Sequence, residues 1–353
     1  MKRDILDILR CPHCSSAFDL KILSEDSREV RCGSLRCKGP ESHEFGVEDG
    51  IIRFGAGFND DWVQREISYE NATYSGDQRL MRPEVISAFP ETLPDIWPHV
   101  RNFGPDFQDL ITSMTFRPSD WVLDIGTAAC WTTRLLAQTG VRVIALDIND
   151  ACYYGLRTAD ILFSAHNVYF ERILESMTQL PFANATIDKI FFNASFHHTP
   201  DLLGTLQECF RVLKPAGQVA MVNESFVSWR HRFVNPGELT DLGSHHSISY
   251  SELEEAISSA GFLVQYRLAG HVRKSLERAL TKSCGGAVAR LLPRCSFLLK
   301  QLKSMEVILI KPGTASASSP AHTVSECCAH EPNGMMDAMT SPNAAPVQQQ
   351  PLN

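Results

Sequence analysis

Five short apolar runs follow one another through the middle of the chain, and they restrict its fold more than any other feature. They are Trp121–Ile125 (WVLDI), Val141–Asp147 (VRVIALD), Val168–Ile173 (VYFERI), Lys189–Asn193 (KIFFN) and Gln218–Asn223 (QVAMVN). Each has the length of a strand, and the intervals between them are long enough for helices. Runs that are apolar at nearly every position are buried on both faces. The alternation therefore predicts a mostly parallel α/β sheet with helices on both sides. Ser251–Ala260 (SELEEAISSA) reads as a helix, with Ser251 as N-cap, acidic residues in the first turn and Gly261 past its end. Phe262–Leu268 and Met305–Lys311 supply two final strands, for seven in all over residues 118–312.

The flanks differ in kind. Met1 to Gly57 is short, rich in turn residues and bears cysteines. Residues 58–117 carry helical signals broken by Pro83, Pro90, Pro94, Pro98 and Pro105, and read as short helices forming a cover or linker. The basic segment 271–303 holds one acidic residue, Glu277, and is broken by Gly285, Gly286 and Pro293. A basic amphipathic stretch of this kind either packs its apolar face in the core or meets an anionic surface. Residues 313–353 are Ala, Ser, Pro, Gln and Asn with little apolar content, too little to offset ordering, and are expected to be disordered. The net charge of -8 argues against non-specific nucleic-acid binding over the whole surface, though not against a local basic patch. No run approaches the roughly 18 apolar residues of a membrane span. Asp4 and Asp7 interrupt any secretory core. Eleven cysteines in 353 residues are too sparse for a disulfide scaffold. The expectation is a cytoplasmic chain with a metal site in a reducing compartment.

Four cysteines lie in the first unit: Cys11, Cys14, Cys32 and Cys37, spaced C-x2-C-x17-C-x4-C. Two tight turns separated by a hairpin would offer zinc four thiolates and leave no place for water, so the site is read as structural. A unit of about 57 residues has little core of its own, and metal binding would add folding energy. The bland alternative is four unrelated buried cysteines. His13, inside the first knuckle, is a substitute ligand or simply exposed. With the turn Val47-Glu-Asp-Gly-Ile51, this segment resembles the small zinc-ribbon domains of the methyltransferase-activator family, and the ribbon heads fused to some bacterial methyltransferases.

The first strand of the sheet ends in Asp124-Ile-Gly-Thr-Ala-Ala-Cys130, and the second ends at Asp147, 21 residues after Gly126. A small-residue turn admits a ligand to the backbone, and an acid at the second strand's end can accept from ribose hydroxyls. With one glycine, the turn lacks the G-x-G-x-x-G of a dinucleotide site. It resembles motif I of class I methyltransferases, D-x-G-x-G-x-G, with Ala128 and Cys130 where the second and third glycines stand. Leu180-Pro-Phe182 with Thr186-Ile-Asp188, Phe196-His-His-Thr-Pro-Asp201 and Arg211-Val-Leu-Lys-Pro-Ala-Gly217 resemble further segments of the same family, in its order. The resemblance implies a Rossmann-like methyltransferase sheet preceded by a small zinc-ribbon domain, binding S-adenosylmethionine through Asp124, Gly126, Thr127, Ala128, Asp147, Ile148, Glu175, Ser176, Met177 and Asn193. The family's adenine-binding Asp falls at Ser176, beside Glu175.

A sulfonium is already an activated methyl donor, so catalysis needs mainly in-line approach in a dry pocket, plus a base for protonated nucleophiles. Candidates are His197, His198 and Glu224 at the ends of the fourth and fifth strands, and His245 and His246 further on. The bland reading has these histidines capping or packing. Residues 225–243 bring Phe226, Trp229, Arg230, His231, Arg232 and Phe233, which suit a flat or anionic acceptor or simply a surface cover. Three functions follow. The leading one is methyl transfer from S-adenosylmethionine to a small-molecule or lipid-like acceptor. The second is an RNA or protein methyltransferase, since a ribbon ahead of this fold resembles some ribosomal-RNA guanine methyltransferases. The third is a non-catalytic adapter, for which Cys130 and Ser176 are the arguments.

Overall fold

The computed structural model describes residues 1–55, 58, 60–227, 248–283 and 305–313. Met1–Thr314 is one compact unit. His245, His246, the 229–233 cluster, most of the basic segment and the expected disordered tail lie outside the described residues.

The chain opens with four strands: β1 (Phe18–Glu25), β2 (Val30–Cys37), β3 (Glu44–Glu48) and β4 (Ile51–Arg53). Asp49 and Gly50, with φ of 52° and 78°, join β3 to β4. Two consecutive left-handed residues make the Asp-Gly turn that a tight hairpin demands. Four helices follow, Asp61–Tyr74, Pro83–Ser87, Leu93–Ile96 and Phe103–Thr112. Pro83 and Pro94 open the second and third, where no amide bond is lost.

The five apolar runs form β5 (Trp121–Ile125), β6 (Arg142–Asp147), β7 (Glu171–Leu174), β8 (Ile187–Asn193) and β9 (Leu213–Val222). The short parallel pair β10 (Phe226–Val227) and β11 (Ile248–Ser249) stands apart from the main sheet. β12 (Leu263–Leu268) and β13 (Met305–Ile310) complete the set. The helix before β12 spans Tyr250–Ala260 and is capped by Ser249, not Ser251. The Ser249 hydroxyl accepts from the Glu252 amide while the Glu252 carboxylate accepts from the Ser249 amide, so S-x-x-E at 249–252 is a capping box.

Strands β7-β6-β5-β8-β9-β13-β12 lie side by side in that order, and β13 alone runs against the others, antiparallel to both β9 and β12. The sheet does not end there. β4 pairs in parallel with β7, Ile52 opposite Ile173, and β3, β2 and β1 continue it to eleven strands among the described residues. The N-terminal unit thus extends the sheet and is not a separate bead. One core cluster runs through both parts, from Ile5, Leu9, Phe45 and Phe54 to Leu180, Phe182 and Leu206. Burying each such side chain contributes about 1.5–3 kcal/mol. The cover helices pack on a second cluster with Val122, Val143 and Phe191, on the other side. Among the described residues, no helix is long and apolar enough to cross a membrane.

Candidate active site

Parallel strands point their C-terminal ends the same way, so the loops after β5, β6, β7 and β8 converge. Gly126 turns the chain at φ +70°, and a Cβ there would collide with Ser195, whose hydroxyl donates to the Ile125 carbonyl at 2.7 Å. Ala128 (φ 45°) and Cys130 (φ 56°) keep the left-handed backbone that glycine would adopt freely. Holding an L-residue there costs roughly 1–2 kcal/mol. The cost at Ala128 is offset by its amide, which donates to the Asp147 carboxylate at 2.8 Å. Cys130 is buried under the turn, 3.5 Å from the Thr127 hydroxyl, and burial pushes its thiol up to about 12.

A cavity of about 670 Å³ opens over this loop, within the ~300–1,000 Å³ typical of small-molecule sites. Gly126, Thr127, Ala128, Asp147, Ile148, Glu175, Ser176, Met177 and Asn193 all line it. Asp124 does not. Its carboxylate is buried behind the turn and accepts from Thr132 and Thr133 hydroxyls at 2.7 and 2.6 Å. Burial pushes it up to about 6. Asp124 therefore positions the turn from behind, not from within the cavity. Asp147 accepts the Ala128 and Asn149 amides, one on each oxygen, at 2.8 and 2.9 Å. Burial outweighs these bonds and pushes it, too, up to about 6. Glu175 is buried and accepts the Ser176 amide at 2.7 Å, and the Ser176 hydroxyl lies 2.9 Å from that of Thr178.

His197 and His198 sit on a 3-10 turn, Phe196–His198, and both line the cavity. Glu224 is buried outside the lining. Its carboxylate gathers the amides of Ser195, Phe196 and His197 at 2.9–3.1 Å and the His197 Nδ1 at 2.7 Å. Burial would raise this carboxyl, but the His197 ring and the amides hold it below its ordinary value. Glu224 is thus placed to hold the histidine turn rather than to meet a substrate.

The cover helix Asp61–Tyr74 contributes what the sequence reading did not single out. Trp62, Glu66, Tyr69, Glu70 and Thr73 line the cavity from one helical face. Trp62 Nε1 donates to the His198 carbonyl at 2.9 Å, and Glu66 Oε1 lies 2.9 Å from His198 Nδ1. Glu70 accepts from Asn149 Nδ2 at 2.8 Å. Burial and the nearby Asp147 charge raise its carboxyl well above the usual range. The steps of three and four from 62 to 73 were the available signal, but a face mixing acids with aromatics does not read as a core stripe.

In the N-terminal unit Cys11, Cys14, Cys37 and His43 bring their ligand atoms within 4.8 Å of one another. The separations are 3.6 Å for Cys14–Cys37, 3.6 Å for Cys11–His43 and 3.5 Å for Cys37–His43. Tetrahedral zinc with bonds of ~2.3 Å to sulfur and ~2.0 Å to nitrogen sets such atoms about 3.5–3.8 Å apart, so the residues fit the ion. His43 Nε2 lies 2.9 Å from the Glu41 carboxylate, an outer partner of the kind metal-bound imidazoles have. Cys32 is not in this group, which corrects the four-cysteine set. Cys32 and Cys37 lie in one strand, and five positions in a strand put two side chains on opposite faces, about 17 Å apart along it.

Comparison with known proteins bears on residues 123–221, which match the family described as "Methyltransferase domain". Over those residues the chain is similar to that family. A malonyl-[acyl-carrier protein] O-methyltransferase of Coxiella burnetii is 36% identical over 133 residues, 35% of this chain and 43% of that protein. A probable S-adenosylmethionine-dependent methyltransferase of Mycolicibacterium smegmatis is 27% identical over 150 residues, 41% and 52% of the two. The chain spans about half the length of these relatives. The crystal structure of the YcgJ protein from Bacillus subtilis superposes with a TM-score of 0.43 at 20% identity, over 59% of this chain and 99% of that one.

Proposed function

We propose that the chain transfers the methyl group of S-adenosylmethionine to a small-molecule or lipid-like acceptor, with a zinc ion held by Cys11, Cys14, Cys37 and His43 as a structural element. One observation carries the reading: a methyltransferase domain whose strand ends place Gly126, Ala128 and Asp147 around one cavity of small-molecule size. Asp147 would take the ribose hydroxyls on its remaining lone pairs. The loop from Glu175 to Met177 would meet the adenine, and Asn193 would face the methionine end. The sulfonium carries its own leaving group, so the protein's part is to bind, align and keep water out.

Two features favour this over the alternatives. The described lining carries carboxyl groups and aromatic rings, Glu66, Glu70, Trp62 and Trp97 among them, which suit a small molecule better than a phosphate backbone. Cys130, the main argument for a non-catalytic adapter, lies beneath the turn and outside the cavity lining. The test is calorimetric titration of the full chain with S-adenosylhomocysteine, with zinc assayed on the same sample. Micromolar binding and about one zinc per chain support the reading. A folded, zinc-loaded protein that binds neither S-adenosylhomocysteine nor S-adenosylmethionine removes it.

A further inference from the structure

We propose that Glu70 of the cover helix is a second ribose-binding carboxylate. Together with Asp147 it takes the vicinal diol of S-adenosylmethionine, one hydroxyl to each acid, so that the cover helix is part of the cofactor site. This rests on the methyl-transfer reading above and divides between two acids the hydroxyls that the reading brings to Asp147.

Two carboxyl groups converge on one residue. The Asn149 backbone amide donates to Asp147 Oδ1 at 2.9 Å, and the Asn149 side chain donates through Nδ2 to Glu70 Oε2 at 2.8 Å. Both acids line the cavity. The orientation of the Asn149 side chain is determined by its other end, where Oδ1 accepts the Ala151 amide at 2.9 Å. Nδ2 is therefore the donor and Glu70 the acceptor. The Leu156 amide donates to the Asn149 carbonyl at 3.0 Å and holds the same loop from further along the chain. The cover helix is fixed to that loop by the residues around Glu70. Asn71 accepts the Tyr153 hydroxyl at 2.5 Å, and the Tyr74 ring lies 4.4 Å, centroid to centroid, from that of Tyr154. Glu70 is thus held in place from both elements, beside the acid that ends β6.

The chemistry of the pair selects the ligand. Burial, and after it the Asp147 charge, raise the Glu70 carboxyl well above its ordinary range. Two acids brought together in a buried place repel each other, and hydrogen-bond donors offset that cost. Asp147 is already well supplied. It accepts the Ala128 and Asn149 amides, one on each oxygen, and the Ile148 and Thr127 amides also favour its charged form. Glu70 has one oxygen on Asn149 and brings a second to the site. A vicinal diol presents two hydroxyl donors from adjacent carbons, one for each acid. The acid at the end of the second strand is where a nucleoside cofactor places its ribose in sheets of this kind. Asn149 brings Glu70 to that same place. The sugar would then be held between a carboxylate of the sheet and a carboxylate of the cover helix.

The full chain is titrated calorimetrically with S-adenosylhomocysteine and with its 2′-deoxy and 3′-deoxy analogues, each lacking one hydroxyl. In the unaltered protein each analogue should bind about tenfold or more weakly than the parent, the effect of one charge-assisted bond. Glu70→Ala should weaken the parent by a similar factor and bring one deoxy analogue level with it, with the other discrimination kept. Asp147→Ala should erase that other one. Glu70→Gln still accepts from Asn149 but carries an amide where the second carboxylate oxygen stood, so it should follow the alanine variant. If Glu70 served only to hold Asn149, its loss would weaken the parent and both analogues by one factor, and glutamine would restore all three. Unchanged ratios in the Glu70 variants, or an unaltered protein that binds the deoxy analogues as tightly as the parent, overturns the inference and leaves methyl transfer standing. Failure to bind S-adenosylhomocysteine at all overturns methyl transfer first.

Discussion

At the scale of single residues, Asp147 carries the most testable chemistry. It is buried, raised to about 6, and already accepts two amides. Ribose hydroxyls would favour its charged form, so cofactor binding should pull its pKa down. The sign follows. Above pH 6 the free carboxylate is ionised and ready, while below it binding must first remove a proton. Affinity for S-adenosylhomocysteine should therefore fall as pH drops from 7.5 to 5, by up to about tenfold per unit below 6. Asp147→Asn should flatten this dependence, and Asp147→Ala should weaken binding by about 1–3 kcal/mol at pH 7.5. A pH-independent wild type would take Asp147 out of the site. The metal ligands allow an equally local test. Cys32→Ser should leave zinc content at the wild-type level, and Cys37→Ser should abolish it. Zinc lost from both variants would reinstate the four-cysteine set. The difference between those two cysteines was hidden because spacing alone treats Cys32–Cys37 as a knuckle. Only the strand through both shows them on opposite faces.

At the scale of elements, the turn after β5 shows how a motif can survive the loss of its residues. Two glycines are replaced, yet the backbone at Ala128 and Cys130 keeps the left-handed form. Ala128→Gly should release that strain and stabilise the chain by about 0.5–1 kcal/mol, read as a higher midpoint in urea. A lower midpoint would mean that the alanine methyl is worth more than the strain. The parallel strands were legible because five runs apolar on both faces admit few other arrangements. The cover helix was legible as a helix but not as a wall. Trp62, Glu66 and Glu70 acquire meaning only from His198 and Asn149, more than 70 positions later, and no local pattern announces such partners. The capping box was legible in principle, since S-x-x-E begins at Ser249. The apolar Ile248 and Tyr250 around it made Ser251 look like the boundary.

For the whole molecule, the decisive feature is that β4 joins the N-terminal strands to β7. β4 has three residues, too few for a pattern of its own, so nothing local indicated whether the cysteine-bearing unit stood apart or was part of the sheet. The join matters for the cavity. The Phe54 and Gly55 amides both donate to the Leu174 carbonyl, and the next residue is Glu175, in the cavity wall. A metal that orders the N-terminal strands would therefore stabilise the main sheet and the adenine loop with it. Removing it should shift one cooperative unfolding transition, not abolish a minor one. In a chain of this size, with an unfolding entropy of about 2.1 cal/mol/K per residue, each kcal/mol of linkage moves Tm by roughly 1–2 °C. Structural zinc is commonly worth several kcal/mol, so a drop of about 5 °C or more is expected in calorimetry with a strong chelator. S-adenosylhomocysteine affinity should weaken in the same sample. Two separate transitions, with the larger one and the affinity both unmoved, would show that the N-terminal strands fold independently despite the shared sheet. A single transition shifting with the metal would mean that this ion, at the far end of the sheet, supports the cavity through backbone hydrogen bonds.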